Sequence, residues 1–272
     1  MIVEKEIWDI FQKVRQDNPL IQSITNFVVM QYVANVLLAT GASPIMSNIS
    51  DEFKDLYKAT KAISINIGML DPLWEKNIID SLIISKTYEL PVIFDPVGAG
   101  ATKYRTNFSK KIINEFDVNV IRGNPSEILS LAPIANISDA IISKGVDSCI
   151  ESNKVVESAK AIAQMYHTVV ALTGKDDYVT DGNQVYKLSN GSILMQKVTG
   201  MGCALGSFIA SFVAVEKNYY NATVAAIAIY GVVGQIAAKI SSGPGSFQQN
   251  FIDTLYNLRE EEFLRNLKIS RC

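Results

Sequence analysis

Histidine is almost missing from this chain. The one copy, His167, precedes an apolar β-branched run and has no Ser or Cys motif around it. Ser–His and Cys–His hydrolase readings therefore lose their base. Cysteine is scarce too. Cys149, Cys203 and Cys272 are odd in number and widely spaced, so neither a disulfide framework nor a CxxC metal pattern follows, and a reducing cytoplasm is the expected compartment. No basic block interrupts a net charge of −2. That argues against nucleic acid or an anionic membrane as the main partner. Both common nucleotide fingerprints fail. GxxxxGK[ST] occurs nowhere, and Gly98-Ala99-Gly100 lacks the third glycine of GxGxxG. The N-terminal run MIVEKEIWDIFQKVRQ is charged and amphipathic, unlike a signal peptide.

What is present is apolar surface. Hydrophobic residues make up 48% of 272 residues and charged ones 19%, enough for a large core in one domain over residues 1–272. The uncharged run Ala222–Ala238 falls short of the roughly 20 strongly apolar residues of a membrane span and reads as a buried helix. Elsewhere strands and helices alternate. Helices are expected over Ile7–Val14, Phe27–Ala39 (with Thr25 and Asn26 as caps), Asp51–Thr60, Asp71–Tyr88, Asn107–Glu115 and Glu151–Tyr166. Strands are expected at Ser43–Ser47, Ala62–Ile67, Pro91–Asp95, Asn119–Ile121, Asp139–Ser143 and Thr168–Leu172. Gly182-Asn183 and Asn190-Gly191 then read as hairpin turns between Asp177–Asp181, Gln184–Leu188 and Ile193–Val198. Three helices end the chain: Cys203 to about Glu216, Ala222–Lys239 and Phe247 to about Leu267. Such alternation predicts a three-layer α/β/α fold around a mostly parallel sheet, with ligands at the carboxyl ends of the strands.

The polar turns expected at that edge carry the chemistry. Val198 to Ser207 reads as strand, glycine turn and helix start, with Gly200 and Gly202 on either side of Met201 and Cys203 just beyond. First-turn N–H groups and the helix dipole make such a turn an anion cradle. A thiol there can have a lowered pKa; equally, a free cysteine can be a small buried hydrophobe. Asp95 ends an apolar strand before a glycine loop, and Glu127 follows another strand. Two carboxylates suit Mg²⁺, yet a turn cap and a helix-start acid explain them as well. Arg122 can grip phosphate bidentately or form a surface ion pair.

Several ordered motifs, spread over nearly the whole chain, resemble the hydroxyethylthiazole kinases of the ribokinase-like superfamily. They are Gln22-Ser23-Ile24-Thr25-Asn26, Gly41-Ala42-Ser43-Pro44-Ile45-Met46, Phe94 to Gly100, Ile121-Arg122-Gly123-Asn124-Pro125-Ser126-Glu127, Leu172 to Gly182, and the glycine turn. The resemblance implies ATP- and Mg²⁺-dependent phosphorylation of 4-methyl-5-(2-hydroxyethyl)thiazole for thiamin biosynthesis or salvage. It places Arg122, Thr173 and Asn124 at ATP, and Met46, Gly200, Asn26 and Gly68 at the thiazole. Asp95 and Glu127 become the metal-associated acids, and Gly200, Gly202 and Cys203 the catalytic turn. It also implies a homotrimer with substrate sites near subunit contacts, to which the helix from Phe27 to Leu38 can contribute. The wider superfamily usually has Asp where Cys203 stands, and a residue smaller than Met201 is expected between the glycines; a cysteine implies a modest general base. Two alternatives stay open: a kinase of another small alcohol, and a binding module with little turnover.

Overall fold

The computed structural model describes residues 2–132 and 149–272, so the strand expected at Asp139–Ser143 lies outside the described residues. The strands are β1 Leu20–Ile24, β2 Ser43–Ile45, β3 Ala62–Asn66, β4 Val92–Asp95, β5 Val120–Gly123, β6 Val169–Leu172, β7 Asp177–Thr180, β8 Val185–Leu188 and β9 Ile269–Arg271. They form one sheet in the order β2-β1-β3-β4-β5-β6-β7-β8-β9. β2 through β6 in that order are parallel, and β7, β8 and β9 join antiparallel.

Side-chain alternation explains the three layers. Ala62, Ile93, Val120, Val169 and Ala171 enter one apolar core; their neighbours Ile63, Val92, Phe94, Ile121, Val170 and Leu172 enter the other. Both faces are covered, so these strands read as continuous apolar runs. The first core is packed by the helices Glu4–Asp17, Met30–Thr40, Met201–Val213, Tyr219–Lys239 and Pro244–Asn257. The second is packed by Ser50–Leu56, Pro72–Thr87, Lys103–Glu115, Pro125–Leu131 and Cys149–Tyr166. By length and composition Tyr219–Lys239 is apolar enough to cross a membrane, but 78% of its most apolar window is buried within the protein. It is the buried helix that its sequence predicts.

The helix expected from Phe27 begins at Met30, with Val29 as its N-cap. Thr25 and Asn26 do not cap it, because Asn26 points into the site instead. The fifth helix starts early, at Lys103, because the Thr102 side chain accepts the Arg105 N–H. Other expected helix ends move by a few residues. Ile193–Lys197 is a 3-10 helix and not a strand. Asn190 causes this: its amide donates to Gln235 and to the Asn266 carbonyl, and its oxygen accepts the Lys268 N–H. The chain is thus turned out of the sheet, and β9 takes the place beside β8. The last expected helix divides at Leu258–Arg259 into Pro244–Asn257 and Glu260–Asn266 before β9.

Phe208 has no exposed surface and packs in tilted ring contacts against Phe212 and Tyr230, with ring centroids at 4.9 and 5.1 Å. Truncation leaves a cavity that the surrounding rings cannot fill. Phe208→Ala is expected to cost about 3–5 kcal/mol, read as a lower urea midpoint at unchanged slope.

Candidate active site

Parallel register assembles the site. Asn66 and Asp95 are paired across β3 and β4, at the carboxyl ends of both strands. Phe94 pairs with Ile121, which brings Arg122 alongside. The Thr173 N–H then bonds the Gly123 carbonyl at 2.9 Å, continuing the edge past β6. Asp95 is wholly buried. Its Oδ2 accepts from Asn66 at 2.8 Å and from Arg122 at 3.5 Å, while its Oδ1 is buried with no hydrogen-bond partner. Burial pushes this carboxyl up to about 7, Arg122 opposes the shift and Glu127 adds to it.

Glu127 is more than a helix-start acid. It forms a capping box with Asn124, accepting the Asn124 N–H at 2.8 Å while Asn124 accepts the Glu127 N–H at 3.0 Å. Its other oxygen accepts the Gly98 N–H at 3.0 Å, tying the glycine loop after β4 to the start of the helix after β5. Among the described residues no group of three or more His, Cys, Asp or Glu is placed to hold a metal. The fit to Mg²⁺ is of a different kind: few carboxylates, the remainder being phosphate and water. The orphaned Asp95 Oδ1 is an acceptor suited to such an ion.

The turn at Gly200 lies next to these acids. Gly200 is left-handed, at φ 96°, and caps the Met201–Val213 helix. The first helical bond runs from Ala204 to the Gly200 carbonyl at 2.7 Å, so the Gly202 and Cys203 N–H groups precede it in the first turn. Gly202 has a specific steric reason. An added Cβ would lie 2.9 and 3.0 Å from the two terminal nitrogens of Arg122. Met201 is buried beneath the turn, where its sulfur accepts from the Tyr32 hydroxyl at 3.3 Å and its carbonyl from Tyr230 at 2.8 Å.

Cys203 is reached by amides. Asn26 donates to its sulfur at 3.7 Å and to Asn66 Oδ1 at 3.2 Å, and Gly68 N–H donates to the same Asn66 oxygen at 2.9 Å. A polar chain thus runs from the thiol through Asn26 and Asn66 to Asp95 and Arg122. The expectation of a lowered thiol pKa is corrected. Burial, followed by the negative Asp95, pushes Cys203 up from its ordinary value, against the smaller opposing effects of Asn66, Arg122 and Asn26.

On the far side of Gly202 lies a cavity of about 850 Å³, lined among others by Arg122, Asn124, Thr173, Gly174, Asp177 and Gly202. Arg122 donates to Thr173 Oγ1 at 2.7 Å. Burial disfavours its charge, but Asp95 and Glu127 more than offset that. The structure therefore brings the expected residues into two adjoining groups. Arg122, Asn124, Thr173 and Gly202 line the cavity; Asn26, Gly68, Asp95 and Cys203 share the amide network. Met46 follows the edge strand β2 and packs on the larger core, outside that network. Two participants are missing from the sequence reading. Asn66 carries a faint signal, since it ends an apolar strand as Asp95 does. Asp177 lines the cavity and accepts the Gly174 N–H at 2.9 Å, and burial pushes its carboxyl up to about 7.

A mostly parallel three-layer sandwich with its polar site at the carboxyl edge is the ribokinase-like architecture. Solved proteins with little sequence likeness share it: a ribokinase-like superfamily protein from Enterococcus faecalis (TM-score 0.62, 12% identity, covering 93% of this chain and 94% of that one), and a pyridoxal kinase from Staphylococcus aureus (TM-score 0.61, 16% identity, 94% and 98%). Within that class the likeness is much narrower. Residues 11–261 match the Hydroxyethylthiazole kinase family, and the chain belongs to it. It is 45% identical to the hydroxyethylthiazole kinase of Carboxydothermus hydrogenoformans, over 95% of this chain and 94% of that one. It is 41% identical to that of Desulfotalea psychrophila, over 95% and 93%. The solved hydroxyethylthiazole kinase of Pyrococcus horikoshii superposes with a TM-score of 0.89 at 34% identity, over 98% and 99%.

The raised thiol pKa has a direct readout. In a Cys149→Ser, Cys272→Ser background, iodoacetamide alkylation of Cys203 is expected to reach half its limiting rate above pH 9, the ordinary value. Asp95→Asn removes a negative neighbour and is expected to move that midpoint down. A midpoint near neutrality in the parent would contradict the assignment.

Proposed function

We propose that this kinase transfers the γ-phosphoryl group of ATP to the hydroxyethyl alcohol of 4-methyl-5-(2-hydroxyethyl)thiazole, a step of thiamin biosynthesis or salvage. The observation that carries the reading is the position of the Gly200–Cys203 turn. One side faces a cavity with a buried guanidinium, and the other meets the amide network around Cys203. A phosphoryl group passing from cavity to alcohol has to cross the first-turn N–H groups between them. Family membership supports the same reaction.

In this scheme Arg122, Thr173 and Asn124 hold the nucleotide phosphates, Arg122 with a bidentate fork. Asn26, Gly68, Gly200 and Met46 line the thiazole pocket, and the Asn26 amide orients the acceptor next to Cys203. Phosphoryl transfer has a loose transition state, so positioning and charge neutralisation outweigh base strength. The N–H groups of Gly202 and Cys203 neutralise the moving charge. Burial holds most of Cys203 as a neutral thiol, so only its small thiolate fraction can take the alcohol proton, late in the transfer, returning to the thiol as it does so. Asp95, with its free oxygen, and Glu127, with the lone pairs left by its two backbone N–H bonds, would hold Mg²⁺. Bound there, the ion supplies charge neutralisation for the phosphates. The protein acts as a cytoplasmic homotrimer in this reading. Supporting it, Phe27 and Val28 are 63% and 78% exposed just ahead of the Met30–Thr40 helix, and Leu38 on that helix is 58% exposed.

The test compares ATP consumption with the thiazole alcohol, pyridoxal, hydroxymethylpyrimidine and ribose. Turnover is expected with the thiazole alone. Phosphorylation of another alcohol in its place overturns the substrate, and tight binding without turnover indicates a binding module. Cys203→Ala is expected to keep measurable turnover, reduced by no more than the ~10²–10⁴-fold of general bases. With folding verified, complete loss in both Cys203→Ala and Cys203→Asp would refute the modest-base role.

A further inference from the structure

Arg105 lies in the first turn of the Lys103–Glu115 helix, outside the site described above. Its guanidinium makes three bonds to main-chain carbonyls. Nη1 donates to Ile67 and, at 3.0 Å, to Val97; Nη2 donates to Gly68 at 3.1 Å. Ile67 and Gly68 lie just beyond β3, and Val97 just beyond β4. Carbonyls past a strand end lose the partners that a ladder supplies. Here one planar cation replaces them for two separate loops.

Those two loops are the ones the site depends on. Gly68 donates its N–H to Asn66 Oδ1, the oxygen that also receives Asn26. Gly98, next to Val97, donates to Glu127. The Arg105 stem passes over Gly98, where φ is 80° and an added Cβ would lie 2.8 Å from Arg105 Cδ. Thr106 anchors the second loop again by accepting the Gly100 N–H at 2.8 Å. Besides the backbone bond from Ile67 N–H to the Asp95 carbonyl, one side chain bridges the loop at the alcohol and the loop behind the acids. A lysine cannot substitute fully, because one compact ammonium lacks the two-pronged planar fork.

We propose that Arg105 is a positioning residue for phosphoryl transfer: it fixes the gap between the Ile67–Gly68 loop and the Val97–Gly98 loop without touching either substrate. This rests on the kinase reading above and adds to it a residue that lies on neither the nucleotide side nor the thiol side.

The test uses the full chain with Arg105→Met, which keeps the stem, and Arg105→Lys. Two readouts are compared with the parent: steady-state kinetics for each substrate, and amide hydrogen exchange at Gly68 and Gly98. A misplaced acceptor can cost up to ~100-fold, so Arg105→Met is expected to lower kcat/KM for the thiazole alcohol by tens of fold. The KM for ATP should stay within about twofold, since uniform binding on the cavity side is untouched. Arg105→Lys should recover part of the loss. The Gly68 and Gly98 amides should exchange faster together, by ~10-fold or more, while amides of the Met201–Val213 helix keep parent rates. Unchanged alcohol kinetics, a KM for ATP raised by as much as kcat/KM for the alcohol falls, or faster exchange in only one loop would each overturn the proposal. If the parent does not phosphorylate the alcohol, the kinase reading itself fails. The paired exchange of the two glycine amides then decides alone whether Arg105 joins the loops.

Discussion

A carboxyl group with no solvent around it has to be surrounded by donors or lose its charge. Asp95 is that group here, and the carboxyl edge of the sheet is organised to meet its demand. Asn66 comes from the strand on one side of it and Arg122 from the strand on the other. Arg122 can reach the acid only because Gly202 has no side chain in its path. The glycine at 202 therefore answers two needs: an open first turn for an anion, and passage for the guanidinium that balances Asp95. The acid's remaining oxygen has no protein partner, which is where the protein leaves room for chemistry.

In the proposed reaction the same arrangement would separate two tasks that a single pocket would confuse. The guanidinium side is a wide cavity with cationic character, suited to a charged nucleotide. The thiol side is a tight network of carboxamides, which recognise by hydrogen bonding and bring no net charge. Burial keeps Cys203 protonated, consistent with an alcohol that must stay neutral until bond formation to phosphorus is advanced. A negative thiolate beside Asp95 would repel the incoming phosphoryl group.

Much of this edge is legible in the sequence, because each strand of the parallel portion is an apolar run closed by a polar turn. Asp95, Arg122 and Thr173 stand out for that reason, and Gly200 because a second glycine follows Met201, at the start of a helix. Asn66 hides because its importance lies in its register opposite Asp95, which no local pattern encodes. Arg105 hides more completely: its partners are carbonyls of loops 38 and 8 residues away, not side chains with a recognisable chemistry. The thiol's ionisation is misread because a helix terminus is visible in sequence and burial among acids is not. The 193–197 segment looks like a strand until a distant strand claims the place next to β8. In each case the decisive term is a non-local contact.

Met201 has a further meaning. Its sulfur is the hydrogen-bond acceptor for Tyr32, a buried phenol from a different helix, while Tyr230 is held by the Met201 carbonyl and so by any residue at that position. The Tyr230 hydroxyl also reaches the Met201 sulfur at 3.6 Å, so both phenols share that atom, but only Tyr32 depends on it. A lineage that shrinks the residue between the two glycines strands the Tyr32 hydroxyl in an apolar layer, and has to replace that tyrosine or find it another acceptor in the same step. The bulky thioether inside a glycine turn thus serves as a polar acceptor in an apolar layer, and a smaller side chain at 201 without a change at 32 is expected to cost stability.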